Sequence, residues 1–171
     1  MRKNIIHFFV FYCVLILLSG CGVKANFEEK ASPTLNYNNS TESLDHLFFG
    51  AWIIKEDFKL GTVSIYDEKD IKSLLGKRVD YSIKYSQFDQ KKLENPFYKK
   101  TVVSNEDFLI HHNVLLKNLD ITQDDVTMIE VYTDSGLKEY WNEIGATFYL
   151  TNSNEIIVFD NGTFFKMEKA K

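Results

Sequence analysis

Three histidines beyond the apolar amino-terminal run could bind a metal ion: His46, His111 and His112. His111 and His112 are adjacent, and adjacent side chains point about 100° apart on a helix and to opposite faces of a strand. The two rings therefore cannot ligate one ion without distortion, and no H-x-x-x-H pair supplies a spaced second ligand. We predict no metal site, and we expect ordinary surface or partly buried histidines.

Patterns for other kinds of chemistry are absent from the sequence. Asp124, Asp125 and Asp134 do not follow the EF-hand spacing of a calcium loop. There is no Gly-rich phosphate loop, no G-x-S-x-G nucleophile elbow and no order of Ser, His and Asp that marks a catalytic triad. The formal net charge of −4 gives no sign of the basic surface typical of nucleic-acid-binding proteins. We therefore predict a non-enzymatic protein that takes no cofactor and binds no nucleic acid.

The two cysteines lie within and just after an apolar amino-terminal stretch. Cys13 falls inside the apolar run 5–18, which follows the basic residues Arg2 and Lys3, and Cys21 comes shortly after the run. A basic start, an apolar stretch of about 7–15 residues and small residues at its exit describe a secretory signal. The run is shorter than the roughly 20 residues that a membrane-spanning helix needs. An uncleaved amino-terminal membrane anchor is the alternative.

The segment Leu18-Ser19-Gly20-Cys21 resembles the lipobox of bacterial lipoproteins. The resemblance implies that the Cys21 thiol receives a diacylglyceryl group, with acyl chains such as palmitate, and that the signal is cut before it. We expect residues 1–20 to be a signal peptide. The mature protein is then expected at the outer face of the cell membrane, since two acyl chains hold a protein that one would hold only marginally. A composition rich in lysine, asparagine and isoleucine favours a low-GC Gram-positive bacterium.

The mature chain divides into a spacer and one domain. Residues 21–43 lack hydrophobic periodicity and are rich in Asn, Ser, Thr and Glu, which is typical of a flexible linker. Residues 44–171 are expected to form a single domain. Capping signals at Asp67 and Ser104 predict two short helices. Strand patterns occur at 48–56, 78–85, 98–103, 126–133, 146–151, 155–159 and 163–168, with a polar connection at 86–96. Asn161-Gly162 predicts a tight hairpin, and the strand density predicts a closed or nearly closed antiparallel barrel.

Gly50-Ala51-Trp52 resembles the G-x-W motif of the lipocalins and related calycin barrels. In that family the tryptophan plugs one end of the barrel, a helical turn such as 44–47 precedes its strand, and an arginine on the last strand packs over the ring. The last strand here offers only Lys166 or Lys169 instead. The resemblance implies a lipocalin-like, mainly β antiparallel barrel of about seven to eight strands with two short helices.

The aromatic side chains lead to two hypotheses about function. We expect Trp52 and five further aromatic residues to line the barrel interior: Tyr81, Tyr85, Tyr132, Phe148 and Phe164. An eight-stranded barrel is just wide enough to be filled by side chains or to hold one small ligand. The first hypothesis is a lipoprotein that binds a small apolar or amphipathic molecule among these residues. The second is a packed barrel that acts as a protein–protein interaction module in the cell envelope.

Overall fold

The computed structural model describes residues 47–58, 60 and 63–171. Within these residues the protein is mainly β, and its strands form one antiparallel sheet in the order β4-β3-β2-β1-β9-β8-β7-β6-β5. The strands are β1 Gly50–Phe58, β2 Arg78–Tyr81, β3 Tyr85–Phe88, β4 Lys91–Glu94, β5 Phe97–Ser104, β6 Asp125–Tyr132, β7 Thr147–Leu150, β8 Glu155–Asp160 and β9 Thr163–Lys169. The helices are α1 Glu68–Leu74 and α2 Asn105–His112, followed by a 3₁₀ helix Leu116–Leu119.

Both helices begin where the capping signals predict. The Asp67 carboxylate accepts from the amides of Lys69 and Asp70, and the Asp70 carboxylate accepts from the Asp67 amide in return. The Ser104 hydroxyl accepts from the Asp107 amide at the start of α2. These bonds satisfy amides that a helix cannot pair internally, so the two predicted helices are confirmed.

The carboxy-terminal strands also agree with the sequence. β7, β8 and β9 are consecutive antiparallel strands, and the register pairs Asp160 with Thr163. The two residues between them, Asn161 and Gly162, have φ values of 47° and 82°. Positive φ at both central positions matches the right-handed strand twist, and Asn-Gly accommodates it better than other pairs.

The predicted strand 78–85 is wrong, because the structure has a hairpin there. β2 ends at Tyr81 and β3 begins at Tyr85, and the Ser82 hydroxyl accepts from the Lys84 and Tyr85 amides inside the turn. The alternation of apolar and polar residues over 78–85 continues by chance through this turn. The Ser82 side chain makes the hydrogen bonds that stabilise the turn. The connection predicted at 86–96 also contains strand β4. The described sheet therefore has nine strands, and the predicted number of seven to eight is wrong.

The two end strands of the sheet, β4 and β5, run in the same direction. All pairings in the sheet are antiparallel, so the chain direction reverses from each strand to its neighbour. β4 is three pairings from β1 on one side and β5 is five pairings from β1 on the other, so both run opposite to β1. Only Asn95 and Pro96 separate them along the chain. The Asn95 backbone amide still donates to the Lys84 carbonyl of the β3 side. Asn95 has φ at 50°, which turns the chain, and the next residue, Pro96, has no amide hydrogen to continue the ladder. β4 and β5 are thus two segments of one bent path, one paired with β3 and the other with β6.

The curled sheet buries its residues in two clusters, one on each face. We call the face that carries Trp52, Phe148 and Phe165 the inner face; its side chains, from β1, β2, β3 and β6 to β9, form one apolar cluster together with Leu74 of α1. The opposite, outer face is covered over part of its area by α2 and the 3₁₀ helix. Phe108, Leu116 and Leu119 of those helices pack on outer residues of β5 to β9: Val103, Val126, Tyr149, Ile157 and Phe164.

Candidate functional site

Trp52 lies near the start of β1, at one end of the pairing between the first and last strands. Its side chain is completely buried, and the indole Nε1 donates to the Phe48 carbonyl at 2.8 Å. The register pairs Trp52 with Lys169 of β9, whose Nζ lies 5.3 Å from the ring centre. A cation at this distance from an indole face is attracted by the ring quadrupole. Gly50, with φ at 126°, lies so close to Lys169 that an added Cβ would stand 3.3 Å from its Cε.

Two of the five predicted ligand-contacting aromatics meet on the inner face. The Tyr81 and Phe148 rings are 4.5 Å apart, and Phe48 packs 5.4 Å from Phe148. The Tyr81 hydroxyl donates to the Gly145 carbonyl at 2.9 Å, which satisfies it inside the core. Burial raises the pKa of Tyr81 well above its usual value, because the phenolate form would be desolvated.

The other three predicted residues do not face this interior. Tyr85 is half-buried on the outer face of β3, because the Tyr81–Ser86 register puts Ser86 rather than Tyr85 on the inner side. Phe164 belongs to the outer cluster beneath α2, and Phe165 is the one that points inward. Tyr132 packs against Tyr140 with ring centres 4.4 Å apart. The expected single aromatic lining is therefore divided between two faces of the sheet.

His112 is enclosed by rings and bound to a tyrosine. Its Nε2 is 2.8 Å from the Tyr149 hydroxyl, and the rings of Phe108 and Phe159 lie 4.6 and 4.5 Å from its own. Burial, with a smaller contribution from the charge of His111, lowers its pKa to about 4. His111 is exposed, and His46 lies outside the described residues. No group of three or more His, Cys, Asp or Glu side chains in the described part of the chain is arranged to hold a metal ion.

A buried carboxylate on β6 is fully paired. Glu130 accepts from Lys99 Nζ at 2.8 Å on one oxygen and from the Tyr140 hydroxyl at 2.5 Å on the other. The hydrogen bond to the Glu130 carboxylate is the main reason that the pKa of Lys99 and the pKa of Tyr140 are both raised. Tyr140 forms an isolated bridge with Tyr132, so Glu130 fastens the end of the 133–140 segment to the sheet. Both carboxylate oxygens are thus engaged in holding β5, β6 and this segment together.

A second polar cluster fastens the chain before α1 to the last hairpin. The Tyr66 hydroxyl donates to the Asp160 carboxylate, and the Ser64 and Thr163 hydroxyls share a hydrogen bond of 2.5 Å. Burial raises the pKa of Asp160, and burial with the bond to Asp160 raises the pKa of Tyr66 to about 12.

A depression of about 440 Å³ opens on the outer face of β2 and β3. It is lined by Lys77, Arg78, Asp80, Tyr85, Gln87 and Asp89. Arg78 donates to both carboxylate oxygens of Asp80, from Nε at 2.8 Å and Nη2 at 2.6 Å. Lys77 Nζ lies 3.3 Å from the Asp89 carboxylate. Sequence reasoning missed this group because the single strand predicted for 78–85 put Tyr85 on the wrong face; the Ser82 turn is the signal that could have located it.

Cys21 and the whole predicted signal and linker, 1–43, lie outside the described residues. Among the residues that are described, no helix is both long and apolar enough to cross a membrane. Comparisons of this chain with protein-family models, with curated proteins and with solved structures find no match.

Proposed function

We propose that this protein is a lipid-anchored lipoprotein of the cell envelope, whose barrel domain recognises another envelope protein through its outer surface. In this proposal the domain has no catalytic role, and the acyl chains on Cys21 keep it at the membrane. The observation that supports surface recognition over an internal ligand is the packing of the inner face.

Most side chains of the inner cluster are almost completely buried. Each of twelve residues is at most 1 % exposed: Phe48, Trp52, Ile54, Val79, Tyr81, Ile129, Val131, Phe148, Ile156, Val158, Phe165 and Met167. A binding site for a small molecule usually encloses about 300 Å³ or more. Side chains that line a cavity of this size would be partly exposed to it. This close packing supports recognition at the outer surface rather than an apolar ligand inside the barrel.

A lipocalin-like barrel is the architecture that we propose for this domain. Lys169 lies over the Trp52 ring, where the lipocalin resemblance places an arginine. If β4 and β5 count as one bent strand, the sheet has eight antiparallel strands. Eight is the strand number at which interior side chains can fill a barrel without leaving a channel.

Photo-crosslinking in intact cells tests surface recognition. A photoreactive residue at Ile83, which is 72 % exposed, or at Ile110, which is 71 % exposed, samples two separate parts of the surface. We expect at least one of these positions to give a discrete, reproducible adduct with a second envelope protein. The fully buried Ile156 is the control position and should give none. If both exposed positions yield only the uncrosslinked chain, the proposed partner recognition is contradicted.

Native mass spectrometry of the detergent-released protein tests the alternative function. A packed interior predicts no stoichiometric non-covalent apolar molecule on the folded chain. A lipid or other apolar compound retained at one copy per protein would instead favour an internal ligand.

A further inference from the structure

Among residues 47–58, 60 and 63–171, helices cover the outer face of the sheet on the side of β5 to β9. The α2 and 3₁₀ helices pack over outer residues of β5 to β9, such as Tyr149, Ile157 and Phe164. The outer side chains of β2 and β3, namely Arg78, Asp80, Tyr85 and Gln87, instead line the 440 Å³ depression. Its volume falls within the range of about 300–1,000 Å³ typical of small-molecule sites.

The charges in this depression cancel in pairs. Arg78 and Asp80 form a two-bond ion pair, and Lys77 pairs with Asp89. An ionic ligand would have to compete with a partner already in place, so the site offers it no net attraction. Its polar lining is equally unsuitable for an apolar ligand, which could not replace the water on these groups.

The paired groups still have unused hydrogen-bonding capacity. The Arg78 guanidinium has five N–H donors, and its ion pair with Asp80 uses those on Nε and Nη2. The Gln87 amide donates to the Asp89 carbonyl, which leaves its own oxygen as an acceptor. Within the described residues the Tyr85 hydroxyl makes no hydrogen bond, and Lys92 Nζ lies 4.6 Å from the Tyr85 ring centre. Donors and acceptors thus lie together on one concave surface, whose lining side chains carry two positive and two negative charges.

We propose that this depression is a binding site for a saccharide. A sugar is neutral and carries closely spaced hydroxyls that each donate and accept, which matches a lining that offers both donors and acceptors and no net charge. The Arg78–Asp80 pair would bind neighbouring hydroxyls as donor and acceptor, while Gln87 and Tyr85 bind the next ones. The proposal does not depend on the proposed protein partner, since it rests only on the residues that line the depression.

Saturation-transfer NMR on the full-length protein in amine-oxide micelles, which contain no sugar head group, tests the proposal. The probes are cellobiose, maltose and diacetylchitobiose, with inorganic phosphate as the ionic comparison. We expect transfer to at least one disaccharide. Tyr85→Phe and Gln87→Ala, each removing one hydrogen-bonding group, should each weaken its affinity about fivefold. Lys55→Ala, which changes a charge on β1 that pairs with Glu168, should leave the affinity unchanged.

Circular dichroism of each variant shows whether the sheet is intact, and the variants' substituted groups lie at the surface, so both are expected to fold. Raising NaCl from about 0.05 to 0.5 M should not alter binding, because a neutral ligand is not screened. The proposal is overturned if no disaccharide receives saturation, if both site variants bind as the wild type does, or if phosphate displaces the sugar.

Discussion

Trp52 combines three interactions in one buried residue: packing in the inner cluster, a hydrogen bond to the Phe48 carbonyl and a contact with the Lys169 ammonium. Trp52→Ala should lower the free energy of unfolding by about 3–5 kcal/mol, as large-to-small aromatic substitutions in cores do. Trp52→Phe should cost less, because it keeps most of the ring and loses mainly the hydrogen bond. Urea unfolding followed by circular dichroism measures both. A cost below about 1 kcal/mol for the alanine variant would contradict the central role of this residue.

His112 should make stability depend on pH in acid. Its pKa is lowered from 6.5 to about 4 in the folded protein, so the unfolded chain binds the proton more readily. The contribution of neutral His112 to the free energy of unfolding is therefore fully present above about pH 6.5, and it is lost as the pH drops towards 4. Allowing for the partial exposure of the ring, we expect a loss of about 1–2 kcal/mol across this window. Urea midpoints measured from pH 7 to pH 4 give the dependence.

The matched variant for this test is His112→Gln, which keeps a polar group near Tyr149 but cannot be protonated. Carboxylates titrate over the same window, and Asp160, whose pKa is raised, contributes with the opposite sign. The informative quantity is therefore the difference between wild type and variant at each pH. An identical pH dependence for the two proteins would show that His112 is not the group responsible.

At the scale of elements, short sequence motifs correctly predicted the helix starts and the last hairpin, because hydrogen bonds between neighbouring residues determine these features. Asp67 and Ser104 cap their helices, and Asn161-Gly162 forms its hairpin, because each depends on residues within a few positions. The hairpin after Tyr81 was missed because alternation alone cannot distinguish a strand from a turn that Ser82 stabilises. The bend at Asn95 and Pro96 was missed as well, since it separates a pairing with the neighbouring strand β3 from a pairing with β6, which is distant in sequence.

Two glycines with nearly equal backbone angles provide a test of the last hairpin. Gly162 has φ at 82° and Gly76 has φ at 83°, so alanine strains both alike. An added Cβ at Gly162 would stand 2.0 Å from the Val63 carbonyl oxygen, whereas at Gly76 it would meet nothing within 4 Å. Gly76→Ala should cost about 1 kcal/mol, and Gly162→Ala clearly more, because backbone must also move. Thermal unfolding of both variants compares them; equal costs would contradict the close packing of 63–66 on this turn.

At the scale of the whole molecule, the burial of inner residues was more predictable than their grouping. Apolar strand patterns identified Tyr81 and Phe148 as core residues, and both are buried. Whether two residues face the same side depends on every turn between them, and one missed turn moved Tyr85 to the outer face. The outer depression was missed for the same reason, because its residues come together only through the β2–β3 hairpin, whose turn Ser82 stabilises, and through the flanking turns.

Lipid anchoring at Cys21 is the central claim, because it assigns this packed domain to the membrane surface where its proposed partner lies. The most direct measurement is the intact mass of the protein extracted from the membrane fraction, with fragmentation of its amino terminus. We predict a chain that begins at Cys21 and carries a diacylglyceryl group on that cysteine. Cys21→Ala should abolish the modification and leave the chain released or unprocessed, whereas Cys13→Ala should be modified as wild type. A membrane-bound protein that retains residues 1–20 and an unmodified Cys21 would contradict the account.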